Sequence, residues 1–237
     1  MTLALVAAVM VDLTTIPTPS ALYPASVLEW HRRYSGPVEW RLTLLGAQGR
    51  VGFGLETRPT ALAAPSIEQI GLLRMVYSRY GAIIDSVARA YDVPPELLAA
   101  TIATESSGKA DSIRIEPGYK SDRDTPHRLS IGLMQTLLST AREALQQPDL
   151  TRVQLLMPRI SITAGAAYIA RQRARTAFDP PLVAAAYNAG SIQYDPASGK
   201  PWRLRCYPLG TGHHVTKWVR HFNAALAVQR EQEARQP

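Results

Sequence analysis

The chain has 237 residues, 46% of them hydrophobic and 19% charged, which is enough apolar material for one sizeable core with a smaller appended unit and excludes a disordered or fibrous protein. The formal net charge is +7, so an acidic polymer is the natural partner: nucleic acid, an anionic membrane surface, or a bacterial wall with its peptide carboxylates. Nucleic acid is disfavoured, because the Lys and Arg residues are scattered and there is no zinc-finger spacing or phosphate-cradling glycine loop.

Cys206 is the only cysteine, which leaves no intramolecular disulfide and a fold held by its core. The apolar run Leu3 to Val11 has no Lys or Arg before it and is closed by Asp12, so it is too short to span a bilayer and lacks the basic region of a secretory signal. No integral membrane segment and no export signal are expected. Residues 1–66, rich in Pro, Thr and Gly, read as a separate N-terminal module whose function the sequence does not give. Val38 to Gly46 and Val51 to Thr57 alternate apolar and polar residues around AQGR, the pattern of a β-hairpin.

From Ser66 the pattern turns helical, and residues 67–237 read as one mainly α domain. The apolar positions Ile70, Leu73, Val76, Ile83, Ile84, Val87 and Tyr91 predict two helices, or one kinked near Gly81. DVPPELLAATIATESSG follows, with Asp92 placed to cap a short helix, Pro94 and Pro95 suited to its first turn, and Gly108 to end it. Glu105 shares the face of Leu98 and Ile102. Either it is buried with a raised pKa, as a general acid needs, or its head reaches solvent at the helix end.

Lys109 to Gly132 is polar and turn-rich, with short strands expected at Ser112 to Ile115 and Leu129 to Ile131. Thr140 and Glu143 have the spacing of a capping box for a helix to about Gln147. Ile160 to Thr176 is a further helix, with Ala and Gly where close packing is wanted. Asp179 is placed to cap the next, which Pro180 and Pro181 open and Gly190 closes. Ser191 to Gly212 reads as a loop, and the chain ends in an amphipathic helix from His213.

Three motifs stand in order on this frame: ATESSG from Ala103, SIGLMQ from Ser130 and AAYNAG from Ala185. Together, at these spacings, they resemble the catalytic domain of the soluble lytic transglycosylases, a family similar in fold to goose-type lysozyme. The resemblance runs from about Ile83 to Gly190, and more loosely to Phe222. It implies a mainly α, lysozyme-like domain with a small β-element, acting on peptidoglycan without a metal or other cofactor. It places Glu105 at the single catalytic acid and Ser106 at the small polar residue after it. Gln135 falls at a groove-lining side chain, with Tyr187 and Asn188 beside the acid, the phenol orienting it and the amide reaching substrate. Met134 is a groove wall or a core thioether. The sequence departs from the family at Leu137 and Leu138, where Met-Pro is common, and at His214, near a common Tyr.

One acid suffices for the chemistry the resemblance implies. Glu105 protonates the oxygen between N-acetylmuramic acid and N-acetylglucosamine, then takes the C6 hydroxyl proton as a 1,6-anhydro ring closes. A hydrolase of the same fold needs a second carboxylate, for which Asp111, Glu116, Asp122 and Asp124 are candidates, although each also reads as a solvated loop charge. A Cys206–histidine peptidase pair has no orienting partner, and His213, His214 and His221 read as exposed polar residues rather than metal ligands. The alternative from another class is a non-catalytic wall-binding or structural component, whose signature would be loss of the acid. The apparent lack of a signal suits a bacteriophage lysin, a virion-associated enzyme or a secretion-machine component, with the N-terminal module as the docking unit.

Overall fold

The computed structural model describes residues 39–45, 50–56, 65–176, 178, 180–191 and 211–234. Strands β1 (Glu39–Leu45) and β2 (Arg50–Glu56) pair antiparallel with Glu39 opposite Glu56, which agrees with the hairpin expected there. Residues 1–38, 46–49 and 57–64, which include most of the AQGR turn, lie outside the described residues, as do Asp179 and Cys206.

Helix α1 (Ile67–Tyr91) is a single helix that runs through Gly81 rather than two. Its start carries a reciprocal cap, in which the Ser66 hydroxyl accepts from the Gln69 N–H and the Gln69 side chain accepts from the Ser66 N–H. Leu73, Val76, Tyr77, Ile84, Val87 and Ala88 recur at helical spacing and form its buried face. Asp92 is not the cap of the helix that follows. It ends α1 in a left-handed conformation and pairs with Arg173.

Helix α2 (Pro95–Glu105) therefore begins without a side-chain cap, at Pro94 and Pro95. Every residue from Pro95 to Thr104 is buried, so α2 is a central helix rather than an amphipathic surface one. It packs against α1, α5 (Pro158–Arg171), α7 (Pro180–Ala189) and α8 (Thr211–Glu233). On α8, Trp218 stacks on Phe222 and donates its Nε1–H to the Thr101 hydroxyl of α2 at 3.0 Å.

The β-element is a three-stranded antiparallel sheet, β3 (Ile113–Ile115), β4 (Leu129–Ile131) and β5 (Thr136–Leu137). Its third strand, at the end of the SIGLMQ motif, is not evident from the sequence pattern. Leu129 and Ile131 join Leu138, Ala141, Leu150, Leu155 and Ala164 in a second, smaller core. Ser130, between them, pairs with Arg114 on one side and Leu137 on the other, making a row across the sheet.

Helix α3 (Leu138–Leu145) starts two residues before the expected capping box, and Leu137 at its N-cap contributes no side-chain bond. Glu143 instead bonds Arg171. The reciprocal cap lies further on, where Thr151 and Gln154 start α4 (Arg152–Leu156). The helix expected over Ile160 to Thr176 divides into α5 and the short α6 (Arg173–Thr176). Among the described residues, no helix is long and apolar enough to cross a membrane.

Candidate active site

A groove of about 260 Å³ runs where the end of α2 meets the sheet and α7. Glu105 lines it, at the last residue of α2, with a side chain only 12% exposed. The alternative in which its head lies in solvent is therefore excluded. Burial in the apolar end of α2 raises its pKa from 4.5 to about 7, against the opposing pull of Arg114 and Lys217. At neutral pH this carboxyl holds a proton for part of the time, as a general acid must.

The row Arg114, Ser130 and Leu137 forms the sheet wall of the groove, continued by Glu116 and His127. The opposite wall is Tyr168 of α5 with Tyr187, Asn188 and Gly190 at the end of α7. Tyr168 meets Tyr187 edge-on, centroids 5.5 Å apart, and its hydroxyl donates to the Gly190 carbonyl at 3.1 Å.

The turn after β4 supplies the floor. Gly132 has φ +74°, and a Cβ there would stand 2.7 Å from both the Leu155 carbonyl oxygen and the Ser161 hydroxyl, so only glycine fits. Gln135, also at positive φ, lines the groove while its Nε2 donates to the Ser112 and Gly132 carbonyls at 2.9 Å each. Its amide nitrogen is thus held by the protein, leaving the carbonyl end as the free polar group.

Two of the expected substrate contacts are placed elsewhere. Met134 is completely buried against Gly165, so its thioether is core; its contribution to the site is the backbone carbonyl that accepts from the Tyr187 hydroxyl. Ser106 is buried too, its hydroxyl donating to Ile102 O and accepting from Gly108 N–H, which fixes the turn behind the acid. Tyr187 is spoken for by Met134 O at 2.8 Å and by Thr136 Oγ1 at 3.0 Å, and no hydrogen bond to Glu105 is formed. It therefore shapes the wall beside the acid rather than gripping it.

Of the four candidate second carboxylates, Glu116 alone lines the groove, in an ion pair with Arg114 at 2.8 Å. Asp122 is tied to Arg152 and Tyr119, whose bonds hold its carboxyl below the usual range. Asp124 accepts from the Ser121 hydroxyl, and Asp111 is exposed outside the groove. Among the described residues, no group of three or more His, Cys, Asp or Glu side chains is arranged to hold a metal.

Two of the three histidines named above, His214 and His221, are not the exposed polar residues expected; the side chain of His213 lies outside the described residues. His214 is partly buried, its Nε2 fully enclosed and 3.5 Å from Glu105 Oε1, and His221 is buried with Nδ1 2.8 Å from the Thr104 hydroxyl. Burial, with the nearby Lys217 and Arg114 charges at His214 and Lys217 at His221, lowers both pKa values to about 4, so both rings are neutral at pH 7. Lys217 donates to the Thr104 carbonyl at 2.9 Å. The motif pattern in the sequence misses these α8 contacts, together with Arg114, His127, Thr136 and Tyr168.

The structure thus defines a mainly helical domain in which a largely buried acid, Glu105, lines a groove between the end of α2, the sheet and α7. The chain belongs to the family described as the Transglycosylase SLT domain, whose model matches residues 82–200, about half of the chain. Among solved structures, an X-ray structure of an inactive mutant of the lytic transglycosylase Slt from Pseudomonas aeruginosa is similar, at 21% identity and a TM-score of 0.44. The match covers 67% of this chain and 25% of that one, so this chain spans about a quarter of that protein's length. No curated protein matches.

Proposed function

We propose that this protein cleaves the glycan strand of peptidoglycan as a lytic transglycosylase, with Glu105 as both acid and base. The observation that carries the reading is the burial of Glu105 at the groove with a pKa near 7, since one group that must give up and regain a proton needs a pKa close to the working pH. Membership in the SLT family supports the substrate class. In the reaction, Glu105 protonates the bridging oxygen as the bond from N-acetylmuramic acid C1 breaks, and the substrate's own N-acetyl group stabilises the positive charge. The Glu105 carboxylate then removes the proton from the C6 hydroxyl as O6 bonds to C1. The proton returns to Glu105, and the product is a 1,6-anhydro sugar.

The groove supports a polymeric substrate. Gln135 and Asn188 offer polar groups on the groove, and Tyr168 and Tyr187 add aromatic surface to its wall.

Hydrolysis is the second reading, and Glu116 favours it because its carboxylate lines the same groove and, as a base, would direct a water at C1. Its ion pair with Arg114 argues against that role. Mass spectrometry of products from purified sacculi separates the two: 1,6-anhydro-muramyl ends support the transglycosylase, and reducing ends one water heavier support the hydrolase with Glu116. A folded Glu105→Gln variant that still releases products would overturn both.

A further inference from the structure

The Nε2 of His214 has no hydrogen-bond partner although it is buried beside the acid. An unpartnered buried polar atom costs free energy, so its position 3.5 Å from Glu105 Oε1 needs a reason. Glu105 lines the groove and His214 does not, so the imidazole approaches the carboxyl from the protein side. The groups that face the pair come from three elements: Arg114 on β3, Tyr187 on α7, and Lys217 one turn along α8. Both cations oppose a positive charge on the ring.

From this geometry we infer that His214 is a positioning residue for Glu105, a neutral imidazole in the Nε2–H tautomer that donates to Oε1 throughout the reaction. The inference rests on the acid–base reading of Glu105. A bare Nε2 would draw the acidic proton to Oε1, away from the groove, and would set its lone pair against the carboxylate once the proton had left. An Nε2–H is compatible with both states. It accepts no proton from the acid, so the proton stays on the other oxygen, and it stabilises the carboxylate that must form next. The separation of 3.5 Å, long for a hydrogen bond, shortens as negative charge develops on Glu105.

The first test needs no activity. Nitrogen-15 spectra of the histidine ring in the wild-type chain give the tautomer directly: Nε2–H at neutral pH is expected, and Nδ1–H or an imidazolium would overturn the inference. Carbon-13 titration of the Glu105 carboxyl then compares His214→Phe, which removes the donor, with His214→Gln, which keeps an N–H at similar reach. The Glu105 pKa is expected to rise in the first variant and to return toward the wild-type value in the second. With a soluble glycan fragment, kcat is expected to fall roughly tenfold in His214→Phe, with KM nearly unchanged and the upper limb of the pH profile displaced upward, and Gln is expected to recover most of the rate. Equal Glu105 titration in all three chains would overturn the inference even if the Phe variant were less stable. Absence of cleavage by the wild-type chain would count against the transglycosylase reading, and the tautomer and titration would still decide the pairing.

Discussion

The hydroxyl of Tyr187 donates to the backbone carbonyl of Met134 at 2.8 Å, and this bond joins the second and third sequence motifs, 53 residues apart, into one wall of the groove. The same hydroxyl accepts from Thr136, so the end of α7 and the start of β5 are fixed relative to each other beside Glu105. Neither bond reaches the acid. The tyrosine of the AAYNAG motif acts here on the shape of the site.

Tyr187→Phe is therefore expected to cost stability as well as rate. It leaves the Met134 carbonyl without its donor in a buried position, a loss of about 1–3 kcal/mol. The expected result is a lower melting temperature and slower clearance of sacculi, with the upper limb of the pH profile still near 7. A profile displaced by a full unit would mean that the phenol sets the acid's pKa after all.

Activity is expected to fall as the pH rises above about 7, because the protonated form of Glu105 starts the reaction. Lys217 and Arg114 both hold that pKa down, so neutralising either moves the limb upward. Lys217→Met is the sharper probe, since Lys217 is anchored on the Thr104 carbonyl beside the acid, whereas Arg114 is largely exposed and its influence is screened by salt. Profiles recorded at two salt concentrations check both points. A Lys217→Met limb at or below the wild-type pH would contradict the assignment.

The sequence makes the mainly α frame legible wherever an apolar stripe is long, as over α1, and wherever proline opens a helix, as at Pro95 and Pro180. It also makes the acid legible, since Glu105 continues the Leu98 and Ile102 face into the groove. Capping chemistry is less secure, because a short polar side chain before a helix serves equally as the end of the helix before it, which is what Asp92 does. Thr140 and Glu143 have the spacing of a cap yet sit inside α3, because buried Leu138 and Ala141 pull the helix start forward. His214 is hidden for a different reason. Its partner lies 109 positions earlier, and nothing local marks the α8 face that docks on α2.

Glu105→Gln is expected to abolish lysis and to stabilise the fold above neutral pH. A carboxyl whose pKa is raised by folding supports the native state fully below its unfolded value of 4.5, and that support is lost as pH rises through about 7. By pH 8 the lost support is about 3 kcal/mol, which the neutral amide does not forfeit. His214 and His221 act in the opposite sense, favouring the native state above their unfolded value of 6.5 and losing that support as pH falls through about 4. Melting curves from pH 4 to 8 should show the variant ahead of wild type at pH 8 and the two converging near pH 5. A wild-type advantage at pH 8 would show that the buried carboxylate is better solvated than its surroundings suggest.

Gly165→Ala tests how closely α5 must approach the turn that carries Gln135. A Cβ at residue 165 would stand 2.4 Å from Met134 Cε, 2.9 Å from Cγ and 3.0 Å from Cβ. The thioether end can swing aside, but Met134 Cβ moves only with its backbone, and that backbone carries the carbonyl bound by Tyr187 and the N–H bound by Ser161. The added methyl therefore overpacks the core by about 1–3 kcal/mol and displaces the groove floor. The expected outcome is a lower melting temperature together with reduced cleavage per folded molecule, measured below the melting range. A variant that loses stability but keeps full activity would show that α5 supports the core alone and that the Gly132 to Gln135 turn holds its shape without it.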